Sequence, residues 1–111
     1  MLSDNYTEVS FIRAKSHILK EEFAKAEKIY RDVLIRLPKN YPDAFMVWET
    51  LGSLSAQIGK LDKAIEAYKK CISLKPDYAT AYINIAVAYK SQGELDDSIN
   101  AYHKFILLNP E

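Results

Sequence analysis

The stretch from Phe45 to Tyr78 is repeated by the residues after it. An offset of 34 carries Trp48 onto Tyr82, Leu51 onto Ile85, Gly52 onto Ala86, Gly59 onto Gly93 and Leu61 onto Leu95. The same offset carries Ile65 onto Ile99, Ala67 onto Ala101, Tyr68 onto Tyr102, Lys70 onto Lys104, Leu74 onto Leu108 and Pro76 onto Pro110. Matches that keep Gly and Pro in register define a structural unit. A period of this size belongs to stacked repeats, whose single units are too small to bury their own apolar faces.

Apolar rhythm and chain-stopping residues place the elements. Helices are expected over about Tyr6–Lys20, from Phe23 to about Arg36, and over Asp43–Ile58, Leu61–Leu74, Asp77–Gln92 and Leu95–Leu108. Asn5 and Glu8 have capping-box spacing at the first start, with Ser3 and Asp4 as further acceptors. Gly59 and Gly93 sit where a left-handed residue ends a helix. Phe23, Ala26, Tyr30 and Val33 match Leu61, Ala64, Tyr68 and Cys71 at an offset of 38. That makes a first repeat with four extra residues before the second, read as a longer turn around Pro38 and Pro42. The first helix fits least well: Ser10 stands at the aromatic position, Arg13 at the Leu position and Ala14 at the small one. A register one residue over would put Phe11 at the aromatic position, and both registers stay open.

This pattern resembles the tetratricopeptide repeat (TPR). Trp48, Leu51-Gly52, Ser55, Ala64, Tyr68, Cys71 and Pro76 carry the resemblance in one copy. Tyr82, Ile85-Ala86, Tyr89, Ser98, Tyr102, Phe105 and Pro110 carry it in the next. The implied fold is all-α, an α-solenoid of three helix-turn-helix hairpins in a right-handed superhelical stack. The expected organisation is a single domain over 1–111: repeat 1 at about 7–40, an inserted turn at 41–44, repeat 2 at 45–78 and repeat 3 at 79–111.

Little points to chemistry. Lys plus Arg equals Asp plus Glu at 15 each, so no net field favours nucleic acid or an anionic membrane. No apolar run approaches a membrane span and no secretory leader is visible, so a cytoplasmic setting is expected. His17 and His103 stand far apart without ligand neighbours, and no nucleophile or phosphate-loop motif occurs, so no enzyme activity, metal or cofactor is expected. Lone Cys71 reads as core. Glu94, Asp96 and Asp97 open a helix, where negative charge suits the backbone dipole. Lys60, Lys63, Lys69 and Lys70 alternate with Asp62 and Glu66 as a solvated face.

The resemblance implies a concave groove lined by the first helix of each hairpin, taking a protein or peptide partner. Carried over, its positions are Phe11, Ile12 and Lys15, then Met46, Glu49, Thr50 and Ser53, then Thr80, Ile83, Asn84 and Val87. Members that clamp a chaperone's acidic tail need several converging cations and amides there. Only Lys15 and Asn84 qualify, while Phe11, Thr50 and Thr80 occupy clamp positions, so an apolar or amphipathic segment fits better. The last helix ends in Phe105, Ile106, Leu107 and Leu108 with no solvating helix after it. Either the chain is the N-terminal piece of a longer protein, or this face pairs with another copy or a partner. The leading reading is an interaction module or scaffold. The alternatives are a docking or regulatory region of a larger enzyme such as a transferase, and a scaffold that self-assembles through its last helix.

Overall fold

The computed structural model describes residues 4–110, so Ser3, one of the expected capping residues, lies outside them. Among the described residues the chain forms six helices: α1 (Asp4–Leu19), α2 (Phe23–Arg36), α3 (Ala44–Gln57), α4 (Leu61–Leu74), α5 (Ala79–Ser91) and α6 (Leu95–Leu108). No strand occurs among the described residues. Each helix packs on the one before it, and α3 also touches α5. The radius of gyration is 14.5 Å, against roughly 13 Å for a compact domain of this length, as an open stack requires.

Small residues set how closely the helices of a pair approach. Ala14, Ala26, Ala64 and Ala86 are wholly inaccessible. Gly52 lies directly beneath the Tyr68 ring, where even a methyl group would stand 2.5 Å from Cε1. Ser98, also small, is buried and donates from Oγ to the Ala86 carbonyl at 2.8 Å. Around these contacts the larger side chains form two clusters. One joins Ala14, Ala26 and Leu54 across the first and second hairpins. The other joins Tyr68, Ile65, Ile85 and Ala101 across the second and third. Burying an aromatic such as Tyr68 is worth about 2–3 kcal/mol, so the hairpins are held mainly by one another.

Ala14 also decides the register of α1. It is fully buried between Ala26 and Leu54, as Gly52 and Ala86 are in their hairpins, and Ser10 one turn earlier is buried too. The offset of 38 therefore runs through α1, with Ser10 in the aromatic slot. Phe11 instead lies beside it, stacked on Tyr30 with centroids 5.5 Å apart.

Three helix starts differ from expectation. Asn5 is inside α1, which already includes Asp4, so it is not the capping residue. The third helix begins at Ala44, after a left-handed Asp43 with φ of 57°. The fifth begins at Ala79, because residues 75–78 close a turn through the Tyr78 N–H to the Lys75 carbonyl at 3.1 Å. Pro76 inside that turn has no N–H to give a helix.

All three hairpin turns use one backbone device. Gly59 and Gly93 take φ of 82° and 80°, and the next N–H reaches back to Ser55 O at 2.8 Å and Tyr89 O at 2.9 Å. This is the Schellman ending, which satisfies carbonyls the helix leaves free. In the first hairpin the same position is Glu21, at φ 58°, and the Glu22 N–H bonds His17 O at 2.8 Å. A side chain at positive φ is disfavoured by about 1 kcal/mol or more. Glu21→Gly is therefore expected to raise stability by about 1 kcal/mol, read from the urea midpoint. A lower midpoint would show that the Glu21 side chain makes up for its backbone strain. The adjacent Glu22 carboxylate accepts hydrogen bonds from His17 Nδ1 at 3.0 Å and Lys25 Nζ at 2.9 Å, which hold its pKa down at about 2.

Candidate functional site

The expected groove residues lie on α1, α3 and α5, the first helix of each hairpin. Phe11, Met46, Val47, Thr50 and Tyr30 surround a shallow depression of about 180 Å3. Met46 and Val87 are half exposed, and Ile12 is 66% exposed. Lys15, Ser53 and Thr80 are exposed, while Phe11, Glu49, Thr50, Ile83 and Asn84 are half-buried. The structure thus brings Phe11, Met46 and Thr50 together, and it joins Glu49 to Asn84.

That second pairing changes the polarity of the face. Asn84 Nδ2 donates to Glu49 Oε2 at 3.1 Å, and the Tyr78 hydroxyl donates to Oε1 at 2.8 Å. Burial, and then the bond to Glu49, raises the Tyr78 pKa, so the phenol keeps the proton it donates. The only carboxylate and the only amide among the expected groove residues are therefore spent on each other. Thr50 Oγ1 donates to its own helix at Met46 O, 3.0 Å away, and Ser53 Oγ lies 3.2 Å from the Tyr68 hydroxyl. Of the other expected groove residues, Ile12, Met46, Val87 and Lys15 are exposed and Phe11 and Ile83 are half-buried.

A second concavity lies among α2, α3 and α4. It holds about 330 Å3 between Trp48, Leu34, Ile35 and Leu51, with Glu27 at its inner end. Sequence reasoning passed over Glu27, which is 1% exposed. Arg31 Nη2 lies 3.0 Å and Lys60 Nζ 3.7 Å from its Oε1, and Ser55 Oγ donates to Oε2 at 3.4 Å. A readable signal existed: Glu27 falls on Ile65 at offset 38 and on Ile99 at 72.

Other candidates for chemistry resolve into packing. Cys71 is fully buried, and burial raises its thiol pKa to about 11, the wrong direction for a nucleophile. His17 is half-buried against Glu22, and His103 is exposed. Among the described residues no three His, Cys, Asp or Glu side chains converge as metal ligands, and no helix is long and apolar enough to cross a membrane.

Comparison with known proteins agrees with this geometry. A TPR repeat model matches residues 52–93 and a tetratricopeptide repeat model matches residues 79–111. The chain is 31% identical over 87 residues to the "Essential for maintenance of the cell wall protein 1" of Saccharomyces cerevisiae, covering 71% of this chain and 10% of that protein. It is 32% identical over 73 residues to the peroxisomal targeting signal receptor of Kluyveromyces lactis, covering 66% of this chain and 12% of the receptor. The chain thus spans about a tenth of the length of these relatives. Among solved structures, a tetratricopeptide repeat protein from Parabacteroides merdae superposes with a TM-score of 0.87 at 25% identity, over 94% of this chain and 40% of that one. Helix order, turn chemistry, the small-residue contacts and these matches lead to one assignment: the chain belongs to the tetratricopeptide repeat family.

Proposed function

We propose that the chain is a non-enzymatic protein-interaction module that holds an apolar or amphipathic segment of a partner along α1, α3 and α5. The observation that carries this is the internal pairing of Glu49 with Asn84 and Tyr78. It removes the polar groups that would hold a carboxylate terminus or a charged tail. It leaves Phe11, Met46, Ile83 and Val87 as the surface a ligand meets. Met supplies adaptable packing there, and extended or helical segments with regularly spaced apolar side chains match such a strip. The likeness to a receptor for targeting signals supports a polypeptide ligand. The setting we propose is the cytoplasm, and neither nucleic acid nor insertion into a membrane enters the reading.

Selecting displayed random peptides on the folded chain tests this. Peptides with spaced apolar residues are expected, and Met46→Asp or Val87→Asp should weaken them at least about tenfold with helicity unchanged. Both positions are exposed enough to accept Asp without unfolding. Ile83→Asp is expected to act the same way. Selected peptides that bind these variants undiminished, or respond to Trp48→Ala instead, would move the site to the other concavity.

A second reading is supported by length. The yeast relatives are several times longer, which fits a docking region working within a larger protein.

A further inference from the structure

On α6, Phe105 and Leu108 are half-buried and Ile106 and Leu107 exposed, and nothing in the structure shows what covers them. The contact between the first and second hairpins differs from the contact between the second and third in a more informative way. At the later contact Tyr89 packs against a cluster that holds Ile65, Ile85 and Ala101. Their counterparts at the earlier contact are Glu27, Leu51 and Ala67, and Ser55 stands in place of Tyr89. A hydroxymethyl group where the next repeat carries a phenol ring leaves space unfilled. These four residues, with Leu34 and Trp48, line the concavity of about 330 Å3. An apolar cavity of roughly 150 Å3 already accepts benzene, so an aromatic ring with a polar substituent has room here. None of the expected groove residues lines it.

The inner end is polar and keeps unused acceptor capacity. Glu27 Oε1 faces Arg31 and Lys60, whereas Oε2 has only the Ser55 hydroxyl at 3.4 Å, well beyond the roughly 2.8 Å usual for such a bond. A carboxylate oxygen can accept two hydrogen bonds, so Oε2 can take another donor. Two cations already face this carboxylate, so an ammonium or guanidinium ligand would meet like charge and a neutral O–H donor would not. The rim is balanced, Asp32 and Glu66 against Arg31 and Lys63. Past Leu34 and Trp48 the surface opens into a second concavity of about 420 Å3, lined by Leu37, Pro38 and Leu74 with Lys39 and Lys70. The backbones of α2 and α4 do not come together among the described residues, so the two concavities form one trough between these helices. Neither Lys39 nor Lys70 has an ion pair among the described residues.

We infer that this trough takes a peptide segment of a partner protein, with an unphosphorylated tyrosine in the inner concavity and an acidic residue beside Lys39 and Lys70. The tyrosine supplies from outside the ring that Ser55 lacks, packs against Trp48 and Leu34, and donates its hydroxyl proton to Glu27 Oε2. The lysine end is what calls for a polypeptide, since a free phenol would occupy the first concavity alone. A phosphate on the tyrosine would bring nearly two negative charges to a buried carboxylate, so the unmodified side chain is selected. This site lies apart from the groove on α1, α3 and α5 and does not depend on that reading.

Trp48 is the only tryptophan in the sequence and lines both concavities, so its fluorescence reports occupancy. The probes are acetylated, amidated pentapeptides with tyrosine at one end and aspartate at the other, made in both orders. One order is expected to bind with a dissociation constant below about 1 mM. Phenylalanine in place of its tyrosine should weaken binding about tenfold, the loss of one hydrogen bond to a charged group. The phosphorylated peptide should not bind, and p-cresol should bind at least about tenfold more weakly than the parent peptide. On the protein, Glu27→Ile should erase the difference between the tyrosine and phenylalanine peptides, and Lys70→Glu should weaken both. Glu27→Ile with Ser55→Tyr copies Ile65 and Tyr89; it should fill the space and abolish binding with the circular dichroism spectrum unchanged. No signal from either order up to several millimolar overturns the proposal. So does a phosphorylated peptide or p-cresol that binds as tightly as the parent, or binding that survives in the folded double variant. Should the double variant not fold, a tyrosine preference that persists in Glu27→Ile and an affinity unmoved by Lys70→Glu overturn it as well. Binding lost in Val87→Asp but kept in the double variant would place the peptide on the α1, α3 and α5 groove instead, and would also count against it.

Discussion

Arg31→Met combined with Lys60→Met is expected to lower folding stability by about 3–5 kcal/mol, whereas Glu27→Ile alone leaves it unchanged or raises it. The asymmetry follows from where the charges sit. The Glu27 carboxylate is out of water, while the Arg31 and Lys60 side chains are 45% and 49% exposed. Methionine keeps most of each aliphatic stem, so packing is largely retained while both cations go. Glu27 is then left with the Ser55 hydroxyl alone, a single neutral hydrogen bond for a buried charge. Removing Glu27 instead leaves two cations that water already reaches. Ile is the residue the chain uses at the equivalent positions 65 and 99, and at 65 it is buried. A loss of 3–5 kcal/mol is a large part of the whole for a domain of this size and would lower the melting temperature by roughly 15 °C. Urea unfolding followed by circular dichroism decides the matter. A double variant within about 0.5 kcal/mol of the parent would mean that water reaches Glu27 despite its burial.

Gly52→Val is expected to cost about 3 kcal/mol, and Gly52→Ala about 1–2. Two effects oppose each other here. Alanine in a helix interior gains about 1 kcal/mol over glycine. Against this, its Cβ would lie 2.5 Å from Tyr68 Cε1 and 2.7 Å from Cδ1. Tyr68 is 4% exposed and its hydroxyl is engaged with Ser53, so the ring has little room to retreat. Valine adds branching and forfeits most of the propensity gain. The third hairpin shows the other solution: Ala86 stands at this position, and Tyr102 is only half-buried. A double-mutant cycle isolates the contact. In a Tyr68→Leu background the Gly52→Val penalty should shrink by at least about 1 kcal/mol. An equal penalty in both backgrounds would put the cost in the backbone and not in the ring.

Much of the fold was legible from residues alone, for reasons that differ along the chain. The α4 and α6 boundaries, Leu61–Leu74 and Leu95–Leu108, came directly from the repeat, because Gly59 and Gly93 end the preceding helices through a conformation few other residues accept. Glu21 adopts that conformation too, but a glutamate does not announce it. In α1 the size cues fail, with Ser10 and Arg13 where the later copies carry large apolar residues. Only burial of Ala14 between two hairpins settles the register. The groove shows the same limit. Apolar Met46, Ile83 and Val87 could be placed by helical spacing, because spacing fixes a face. That Asn84 and Glu49 satisfy each other depends on the distance between α3 and α5, which no one-dimensional pattern contains. Glu27 is the intermediate case: its misfit with Ile65 and Ile99 was visible, but Lys60 and Ser55, which make it tolerable, come from the next hairpin.

The contact pattern has a mechanical corollary. Among the described residues the backbone of the amino-terminal pair approaches the remainder only where α2 lies beside α3, with α1 adding side-chain contact from Ala14 to Leu54, whereas the carboxy-terminal pair approaches through α5 beside both α3 and α4. The weaker tether also belongs to the pair with a non-glycine left-handed turn and a buried carboxylate. Thermal loosening should therefore run from the front of the chain backward, through a partly melted form that keeps α3–α6 intact. In such a form the strip near Val87 persists after the depression at Phe11 has gone, so a ligand seated along the whole length would act as a splint on the front pair.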